Sequence, residues 1–324
     1  MTFCIFSDIA APVATLKLLR EGTSGHQLLL SNAPSTSVLQ KAPPDPQLVL
    51  ADIAFGQPDP EAVAQASRLK WIQISSSSIT RYDYPGFRTM MTERHIAVCN
   101  SARVYREACA EHALAFMLAQ SRLLPESLSL RVPSGTDAWH HLRGNSIPLQ
   151  GQSALIVGYG AIGHRLVELL RPFDIHITAL RRNKRGDELV PVIAPDQLHQ
   201  ALAQGVDHVI NILPDSEETR NFFDSERFAS MKPGTVFYNI GRGTTVDQLA
   251  LLSALQSGRL KAAWLDVTDP EPLPENHPLL KEPNCFITPH VAGGHRDESM
   301  TLVRHFLANL ARFVRNEPLL DRVM

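Results

Sequence analysis

Three side chains suited to proton transfer and carboxylate binding lie in short loops of the second half of the chain. Arg242 stands between glycines, Glu271 between prolines, and His290 directly after a proline. Adding hydride to a ketone leaves negative charge on oxygen, so the reaction needs a proton donor that works near neutral pH, most commonly imidazole. We predict that His290 is the acid/base and that Glu271 orients it. Arg242 is predicted to bind a substrate carboxylate and polarise the carbonyl.

Taken singly, these three residues have simpler interpretations. An arginine between glycines can anchor a loop, a glutamate between prolines can face water, and a histidine after a proline can cap a strand. A shared role in one site is favoured because each of the three lies in a loop after a predicted strand, and α/β sheets bind ligands at the carboxyl ends of their strands.

A glycine-rich turn, GYGAIG, follows the apolar segment Ala154–Val157 and opens a helical pattern. In this context the backbone can approach a pyrophosphate, which the N–H groups at the start of a helix bind. The turn therefore predicts a dinucleotide site, the alternative being a tight turn without a ligand. Its predicted cofactor-binding residues are Gly158, Tyr159, Gly160, Ala161, Ile162 and Gly163.

The end of the next predicted strand is basic. About 20 residues beyond the glycines, where an acidic residue ordinarily binds the adenosine ribose, the chain has Arg181 and Arg182. Guanidinium groups bind a 2′-phosphate, whereas a carboxylate would repel it. We therefore predict that NADP(H) is preferred and that NAD(H) is possible. The alternative is that these cations form a solvated surface turn.

In both halves of the chain, short apolar runs alternate with helical patterns, which predicts parallel sheets and an α/β fold of two doubly wound domains. A helix start is predicted at Asp59-Pro60, a long helix over Tyr105–Leu124, and an amphipathic helix over Arg296–Val314 that packs back on a domain. The predicted strands are Phe3–Phe6, Gln27–Leu30, Leu48–Leu50 and Trp71–Ile74, followed by Ala154–Val157, Ile175–Leu180, His208–Leu213, Thr235–Ile240 and Ala262–Val267.

Several segments resemble the D-isomer-specific 2-hydroxyacid dehydrogenases, and most of all their glyoxylate/hydroxypyruvate reductase branch. The resemblance is specific over about Val98–Gly294 and weaker before that range. It is carried by GYGAIG, by Leu213-Pro214 with Glu218-Thr219-Arg220, by MKPGTVFYNIGRGTTVD from Met231 to Asp247, by Asp266–Pro272 and by NCFITPHVAG from Asn284 to Gly293.

The resemblance implies a catalytic Arg, Glu and His, which map onto Arg242, Glu271 and His290, and a contact between Asp266 and the nicotinamide carboxamide. It also implies a homodimer, and a Rossmann cofactor domain, residues 99–291, inserted into a flavodoxin-like substrate domain, residues 1–98 and 292–324. Further cofactor-binding residues expected from these motifs are Leu213, Pro214, Thr219, Ile240, Asp266 and Gly293, together with Arg242 and His290.

The family usually has a glycine-containing turn after the strand that ends near Ile74, and its backbone N–H groups bind the substrate carboxylate. Here that turn consists of serines, with Ser76, Ser77 and Ser78 as the predicted substrate-binding residues beside Arg242 and His290. A serine Cβ narrows the approach and its hydroxyl adds a donor, which favours a small or polar acid. The alternative is a polar turn without a role in binding.

Composition narrows the possible partners. The 324 residues, 44% of them hydrophobic, suffice for two cores, and 31 basic against 33 acidic residues create no field that attracts nucleic acid or a membrane. The chain has no basic leader before an apolar start and no apolar run near the roughly 20 residues of a membrane span. The four cysteines are scattered, so we expect reduced thiols, no metal site and a cytoplasmic protein.

The function that these residues indicate is the NAD(P)H-dependent reduction of a small 2-keto acid, of the glyoxylate or hydroxypyruvate type, to the D-2-hydroxy acid. Formate dehydrogenases look similar but have Gln in place of Glu271, which disfavours that reaction. The alternative from another class is a non-catalytic dinucleotide-sensing protein, because corepressors that resemble these dehydrogenases share the fold. An assay of NADPH oxidation with 2-keto acids separates the two.

Overall fold

The computed structural model describes residues 1–35 and 43–324, and the chain divides into two compact units. The first unit consists of Met1–Tyr105 and Gly294–Met324, and the second of Arg106–Gly293. The second unit is therefore inserted into the sequence of the first, as the resemblance implied. The assignment of substrate and cofactor roles to residues 1–98 with 292–324 and to residues 99–291 stays a prediction.

The first unit is built on a five-stranded parallel sheet. Its strand order is β2-β1-β3-β4-β5, which is the flavodoxin-like order. The strands are β1 (Cys4–Ile9), β2 (Gln27–Ser35), β3 (Ile53–Gly56), β4 (Trp71–Ile74) and β5 (Ala97–Cys99), and the helices of this unit are α1 (Val13–Gly22), α2 (Pro60–Gln65), α3 (Pro85–Glu93) and, late in the chain, α11 (Glu298–Val314).

The predicted strand over Leu48–Leu50 is wrong. Pro46–Leu50 forms a 3₁₀ turn, which starts where the Asp45 carboxylate accepts a hydrogen bond from the Gln47 backbone N–H. An acidic cap followed by proline is typical of a helical start, and a run of three apolar residues does not by itself distinguish a strand from a turn that buries one side chain. Leu48 is the buried side chain of this turn, and the strand follows it as β3.

The predicted helix start at Asp59 and the packing of the amphipathic helix are both confirmed. The Asp59 carboxylate accepts hydrogen bonds from the first backbone N–H groups of α2. On α11, the ring of Phe306 stacks on Phe55 and Trp71 of the sheet, with centroid distances of 4.3 and 5.3 Å. The apolar face of α11 thus completes the core of the first unit.

The second unit contains a seven-stranded parallel sheet with the order β12-β11-β10-β9-β6-β7-β8. Counted from β6, this is the Rossmann order 3-2-1-4-5-6 with one further strand. The strands are β6 (Ser153–Val157), β7 (His176–Leu180), β8 (Val192–Ile193), β9 (His208–Asn211), β10 (Thr235–Asn239), β11 (Leu260–Leu265) and β12 (Cys285–Ile287).

Seven helices accompany this sheet. The first of them, α4, begins at Ala102 in the first unit and ends three residues earlier than predicted. Leu123 adopts a left-handed conformation, and a new helix with Pro125 in its first turn starts at Leu124. The helices are α4 (Ala102–Ser121), α5 (Leu124–Leu130), α6 (Asp137–Asn145), α7 (Ala161–Leu170), α8 (Leu198–Gln204), α9 (Ser225–Ser230) and α10 (Gln248–Gln256).

A buried histidine lies within the second sheet. His208 on β9 is 2% exposed, with Nδ1 at 3.0 Å from the Tyr238 hydroxyl and Nε2 at 2.9 Å from Gln152 Oε1. Both ring nitrogens therefore have partners while the imidazole is neutral. Burial lowers the pKa of His208 to about 4, because the low-dielectric interior disfavours the charged ring.

The low pKa of His208 predicts acid sensitivity of the second unit. The unfolded chain binds this proton near its ordinary pKa of 6.5, so the stabilisation is complete above that pH and is lost as pH falls towards 4, by about 3 kcal/mol in total. Urea unfolding between pH 7 and pH 4.5 measures this loss. We expect His208→Gln to lower the free energy of unfolding at pH 7 but to make its fall with decreasing pH less steep. His199→Gln, at an exposed position, should keep the wild-type pH dependence. Equal slopes for all three proteins would contradict this account of His208.

Candidate active site

His290 and Glu271 form a close pair in the second unit. His290 Nδ1 lies 2.7 Å from Glu271 Oε1, and the two side chains are 20% and 36% exposed. A carboxylate can only accept, so the Nδ1 proton is donated to Glu271 and the other ring nitrogen, Nε2, remains available. This is the geometry of an acid/base histidine whose ring is oriented by a carboxylate.

The loop that carries His290 is held by Asp266, the first residue after β11. His290 has a φ of 52°, a left-handed conformation that is uncommon for a residue with a Cβ, and its N–H donates to the Asp266 carbonyl at 2.9 Å. The buried Asp266 carboxylate accepts hydrogen bonds from the Thr288 hydroxyl (2.6 Å) and from the N–H groups of Val291 and Ala292 (both 2.9 Å). The expected contact of Asp266 with a nicotinamide stays a prediction.

Arg242 lies in the loop after β10, where backbones approach closely. A Cβ on Gly243 would overlap the backbone of Thr268, and one on Gly241 would lie 2.5 Å from the Leu213 carbonyl oxygen. The loops after β9, β10 and β11 therefore touch, and glycine on each side of Arg242 is a steric requirement of that contact.

A buried amide pair supports the Arg242 loop. Asn211 Nδ2 donates to Asn239 Oδ1 at 3.0 Å and to the Thr245 hydroxyl at 2.7 Å, while Asn239 Nδ2 donates to the Arg242 carbonyl at 3.1 Å. Asn239 Oδ1 also accepts from the N–H of Gly241. Because unmade hydrogen bonds are costly in a buried site, this network restricts the loop to one conformation.

The guanidinium of Arg242 interacts with the charge of Glu271. Burial lowers the pKa of Arg242 from its ordinary value, and the neighbouring Cys109, Glu271 and Asp215 act in the opposite direction. Arginine keeps its proton in proteins, so Arg242 is a half-buried cation, and Glu271 is among the charges that act on it. The three predicted catalytic residues are thus together in the second unit.

The glycine-rich turn has the conformation that the pattern predicts. Gly158 has a φ of 104°, and a Cβ there would come within 2.8 Å of the Ile212 backbone. Gly163, on the first turn of α7, packs against the Gly158 carbonyl, where a Cβ would be 2.9 Å away. Gly160 differs, since a Cβ there would meet no atom within 4 Å, and no side chain caps α7 at this residue. The open space at Gly160 lies where a phosphate would meet the helix N-terminus.

A cavity of about 630 Å³ opens beside the turn. The predicted residues Leu213, Pro214 and Thr219 contribute to its wall, and the Thr219 hydroxyl donates to the Pro214 carbonyl at 2.7 Å. Its other lining residues are Gly158, Tyr159, Gly160, Leu180, Arg181, Arg182, Asn183, Arg185, Pro195, Ile212, Glu218 and Phe222. Of the remaining predicted cofactor residues, Ile240 is buried at the start of the Arg242 loop, and Gly293 directly follows Ala292.

The two arginines of this cavity differ in their surroundings. Arg181 is 12% exposed and lies 3.1 Å from Asp187 and 3.6 Å from Glu188, with its guanidinium 5.9 Å from the centroid of the Tyr159 ring. Arg182 is 70% exposed and pairs with Glu218, itself 71% exposed, at 2.5 Å. Arg181 is therefore fixed in the wall of the cavity, whereas Arg182 is held by one exposed ion pair.

The serine turn belongs to the first unit. Gln57 Nε2 donates to the hydroxyls of Ser75 and Ser76 at 3.1 and 3.0 Å, and the Ser76 hydroxyl donates to the Ser78 carbonyl at 2.6 Å. Asn100 Nδ2 donates to the Ser77 carbonyl at 2.8 Å. These bonds use hydroxyl and carbonyl oxygens of the turn, so its shape is set by neighbouring amide side chains.

Sequence reasoning missed several residues that shape these loops. Asn211 and Asn239 each end an apolar strand, a position where a buried amide can be expected to support the next loop. Gln57 stands just after β3 in the same way. His112, by contrast, gives no such signal, because its contact with Thr288 joins residues 176 positions apart.

Comparisons with known proteins settle the family. A model of the family described as "D-isomer specific 2-hydroxyacid dehydrogenase, NAD binding domain" matches residues 114–292. The human protein named glyoxylate reductase/hydroxypyruvate reductase is 33% identical over 228 residues, 70% of each chain. The chain belongs to the D-isomer specific 2-hydroxyacid dehydrogenase family. The resemblance seen in the sequence is confirmed, and the second unit contains the NAD-binding domain of this family.

Two further relatives extend the match. Glyoxylate/hydroxypyruvate reductase B of Escherichia fergusonii is 32% identical over 257 residues, 77% of this chain and 78% of that protein. The probable 2-hydroxyacid dehydrogenase of Rhizobium etli CFN 42, solved with NADP, HEPES and L(+)-tartaric acid, has a TM-score of 0.79 at 22% identity over 99% of this chain and 97% of its own. The structural match confirms the two-domain fold of the dehydrogenase.

Residues 1–35 and 43–324 contain neither a membrane-spanning helix nor a cluster of metal ligands. No helix there is both long and apolar enough to cross a membrane. No cluster of three or more His, Cys, Asp or Glu side chains suited to a metal ion occurs in the same ranges.

The open space at Gly160 predicts a substitution that affects cofactor binding more than folding. Gly160→Ala adds a methyl group without a clash, so the apo-protein should keep its stability to within about 1 kcal/mol, while dinucleotide affinity falls on the order of tenfold. Gly158→Ala, the matched variant, should destabilise the apo-protein by about 1–3 kcal/mol because of its positive φ. Urea unfolding and titration of cofactor fluorescence measure the two effects. A Gly160→Ala protein with wild-type affinity would show that the dinucleotide does not approach this glycine.

Proposed function

We propose that this dehydrogenase reduces a small 2-keto acid, of the glyoxylate or hydroxypyruvate type, to the D-2-hydroxy acid with NAD(P)H. The observation that supports this most is the 2.7 Å contact of His290 with Glu271, with the half-buried Arg242 cation close by. Names of relatives point the same way, since the human and Escherichia fergusonii proteins are called glyoxylate and hydroxypyruvate reductases.

In the proposed reaction, each of the three residues acts on a different part of the substrate. A bound reduced dinucleotide supplies the hydride to C2 of the keto acid. His290 donates the Nε2 proton of its imidazolium form to the carbonyl oxygen as negative charge develops there, and it becomes neutral. Glu271 holds the ring through Nδ1 and stabilises the imidazolium before transfer. Arg242 binds the carboxylate and polarises the carbonyl. In the reverse direction, neutral His290 takes the hydroxyl proton.

The residues that bind the cofactor are proposed to extend from the glycine turn along the loops after β9, β10 and β11. We assign Leu213, Pro214 and Thr219 to the wall facing the dinucleotide, because they line the cavity that the turn opens into. Ile240, Asp266 and Gly293 are proposed to contact it through the loops that carry Arg242 and His290.

Ser76, Ser77 and Ser78 are proposed to bind the substrate carboxylate through their backbone N–H groups. The fixed shape of the serine turn supports this, since the Ser76 hydroxyl and the Ser77 and Ser78 carbonyls already have partners in the first unit. A turn lined by Cβ atoms and hydroxyls favours a short or polar acid. The expected homodimer and cytoplasmic location stay predictions.

NADP(H) is proposed as the preferred cofactor. Arg181, Arg182 and Arg185 all line the cavity beside the glycine turn, and the Rhizobium etli relative was solved with NADP. Three guanidinium groups in this position would bind a 2′-phosphate and gain nothing from a free ribose hydroxyl.

Turnover with 2-keto acids tests the proposed reaction. The wild-type protein should oxidise NADPH with glyoxylate or hydroxypyruvate, and His290→Ala should lower kcat/KM by about 10²–10⁴-fold with the NADPH Kd nearly unchanged, because His290 acts in the transition state. His199→Ala, at an exposed histidine of the same unit, is the control and should keep full activity. Absence of turnover with a panel of small and larger 2-keto acids would instead favour a dinucleotide-sensing protein.

The role of the arginines is tested by the ratio of kcat/KM for NADPH to that for NADH. Replacing Arg182 with Ala should lower this ratio by about tenfold or more, through the loss of a charge-assisted contact with the phosphate, and should leave the NADH value little changed. Arg171→Ala, which replaces an exposed arginine that does not line the cavity, provides the control. If the wild-type protein prefers NADH, the proposed cofactor preference is wrong.

A further inference from the structure

The loop that carries His290 is connected to α4 by a chain of polar contacts that the proposed reaction does not use. We propose that His112 and Thr288 are positioning residues: with Asp266 they hold the loop of residues 288–292 in the conformation that directs His290 onto Glu271. This inference rests on the proposed role of His290. It assigns a function to two residues that touch neither Glu271 nor the ring of His290.

The chain begins at the Asp266 carboxylate, which is 2% exposed. Three donors of one short loop converge on it, namely the Thr288 hydroxyl and the N–H groups of Val291 and Ala292. The His290 N–H donates to the Asp266 backbone carbonyl. Asp266 therefore holds this loop both before and after His290.

The proton positions in this chain follow from its acceptors. Thr288 Oγ1 lies 2.6 Å from Asp266 Oδ1, and since a carboxylate can only accept, the threonine donates its single proton there. The contact of 3.2 Å between Thr288 Oγ1 and His112 Nε2 must then be donated by the histidine. His112 is therefore protonated at Nε2, and its proton also faces Asp266 Oδ1, at 3.7 Å.

His112 is held in place by its own surroundings. Its side chain is 21% exposed, and its ring meets Phe116, one turn along α4, edge to face at a centroid distance of 4.4 Å. Burial lowers the pKa of His112, although the charge of Asp266 opposes this. The geometry thus requires a proton on Nε2, and burial favours the ring that carries this proton alone.

A firm anchor is needed because the His290 backbone is in an uncommon conformation. At a φ of 52°, a residue with a Cβ persists only where the surrounding contacts determine it. Thr288 lies two residues before His290. Its hydroxyl is therefore the side-chain contact that fixes the backbone leading into this conformation. Loss of that hydroxyl leaves the Asp266 carboxylate with one donor fewer and lets the loop relax.

Removal of the Thr288 hydroxyl without a change of shape is the primary test. We expect Thr288→Val to lower kcat by about tenfold while the NADPH Kd stays within about twofold of wild type, and Thr288→Ser, which keeps the hydroxyl, to restore most of the rate. His112→Leu should have the effect of Thr288→Val, and His112→Gln, whose amide N–H₂ can still donate, should be the milder variant. His199→Leu, at an exposed histidine, is the matched control.

Two readouts separate positioning from a general loss of stability. In the His290→Ala background, Thr288→Val should cause no further loss of kcat, because the residue that it positions is already absent. Imidazole ¹⁵N shifts should place the His112 proton on Nε2 in the wild type, and the Nδ1 signal of His290 should move in Thr288→Val. The inference would be overturned if Thr288→Val had the wild-type kcat. It would also be overturned if Thr288→Val lowered kcat as much in the His290→Ala background as in the wild-type protein.

Failure of the proposed function would look different. A wild-type protein without turnover on any 2-keto acid rejects that function, whereas the ¹⁵N shifts of His112 and His290 still report on the contact. An unchanged His290 signal in both Thr288→Val and His112→Leu would overturn the positioning role whatever the reaction is.

Discussion

The second unit depends on how closely the backbones of neighbouring loops approach at the carboxyl edge of its sheet. Gly158 lies against Ile212, Gly241 against Leu213, and Gly243 against Thr268, so the loops after β6, β9, β10 and β11 form a continuous row. A Cβ at any of these glycines would force two loops apart. The row brings the glycine-rich turn, Arg242 and Glu271 into neighbouring loops, since each is carried by a different strand of the sheet.

Two carboxylates at this edge of the sheet, Glu271 and Asp266, each have definite hydrogen-bond donors. Glu271 accepts from His290 and its charge acts on Arg242, while Asp266 accepts three hydrogen bonds from the loop after β12. The two carboxylates therefore have separate partners: Glu271 accepts from the ring of His290, and Asp266 accepts from the loop that carries His290. An unpaired buried charge would be costly here, which is why the buried carboxylate, Asp266, has the larger number of donors.

The fold could be predicted from the sequence, and candidate site residues could be named, because their signals are local. The glycine turn, the capped start at Asp59 and the apolar strands each depend on a few adjacent residues. The prediction failed at Leu48, where three apolar residues belong to a 3₁₀ turn, because a run that short carries no periodicity. The pairing of His112 with Thr288 could not be predicted, since nothing in either segment indicates which residue 176 positions away completes the contact.

Contacts that only the structure shows also bear on the choice of cofactor. The sequence shows two arginines, and the structure shows that they are not equivalent. Arg181 already has Asp187, Glu188 and the Tyr159 ring as partners, so a phosphate must compete with contacts in a half-enclosed site. Arg182 has only the exposed pair with Glu218, and such a surface ion pair is worth at most about 1 kcal/mol. A doubly charged phosphate would offer Arg182 a stronger partner than this carboxylate, whereas a neutral ribose hydroxyl would offer a weaker one than the phosphate. The proposed preference for NADP(H) therefore depends on the weaker of the two ion pairs.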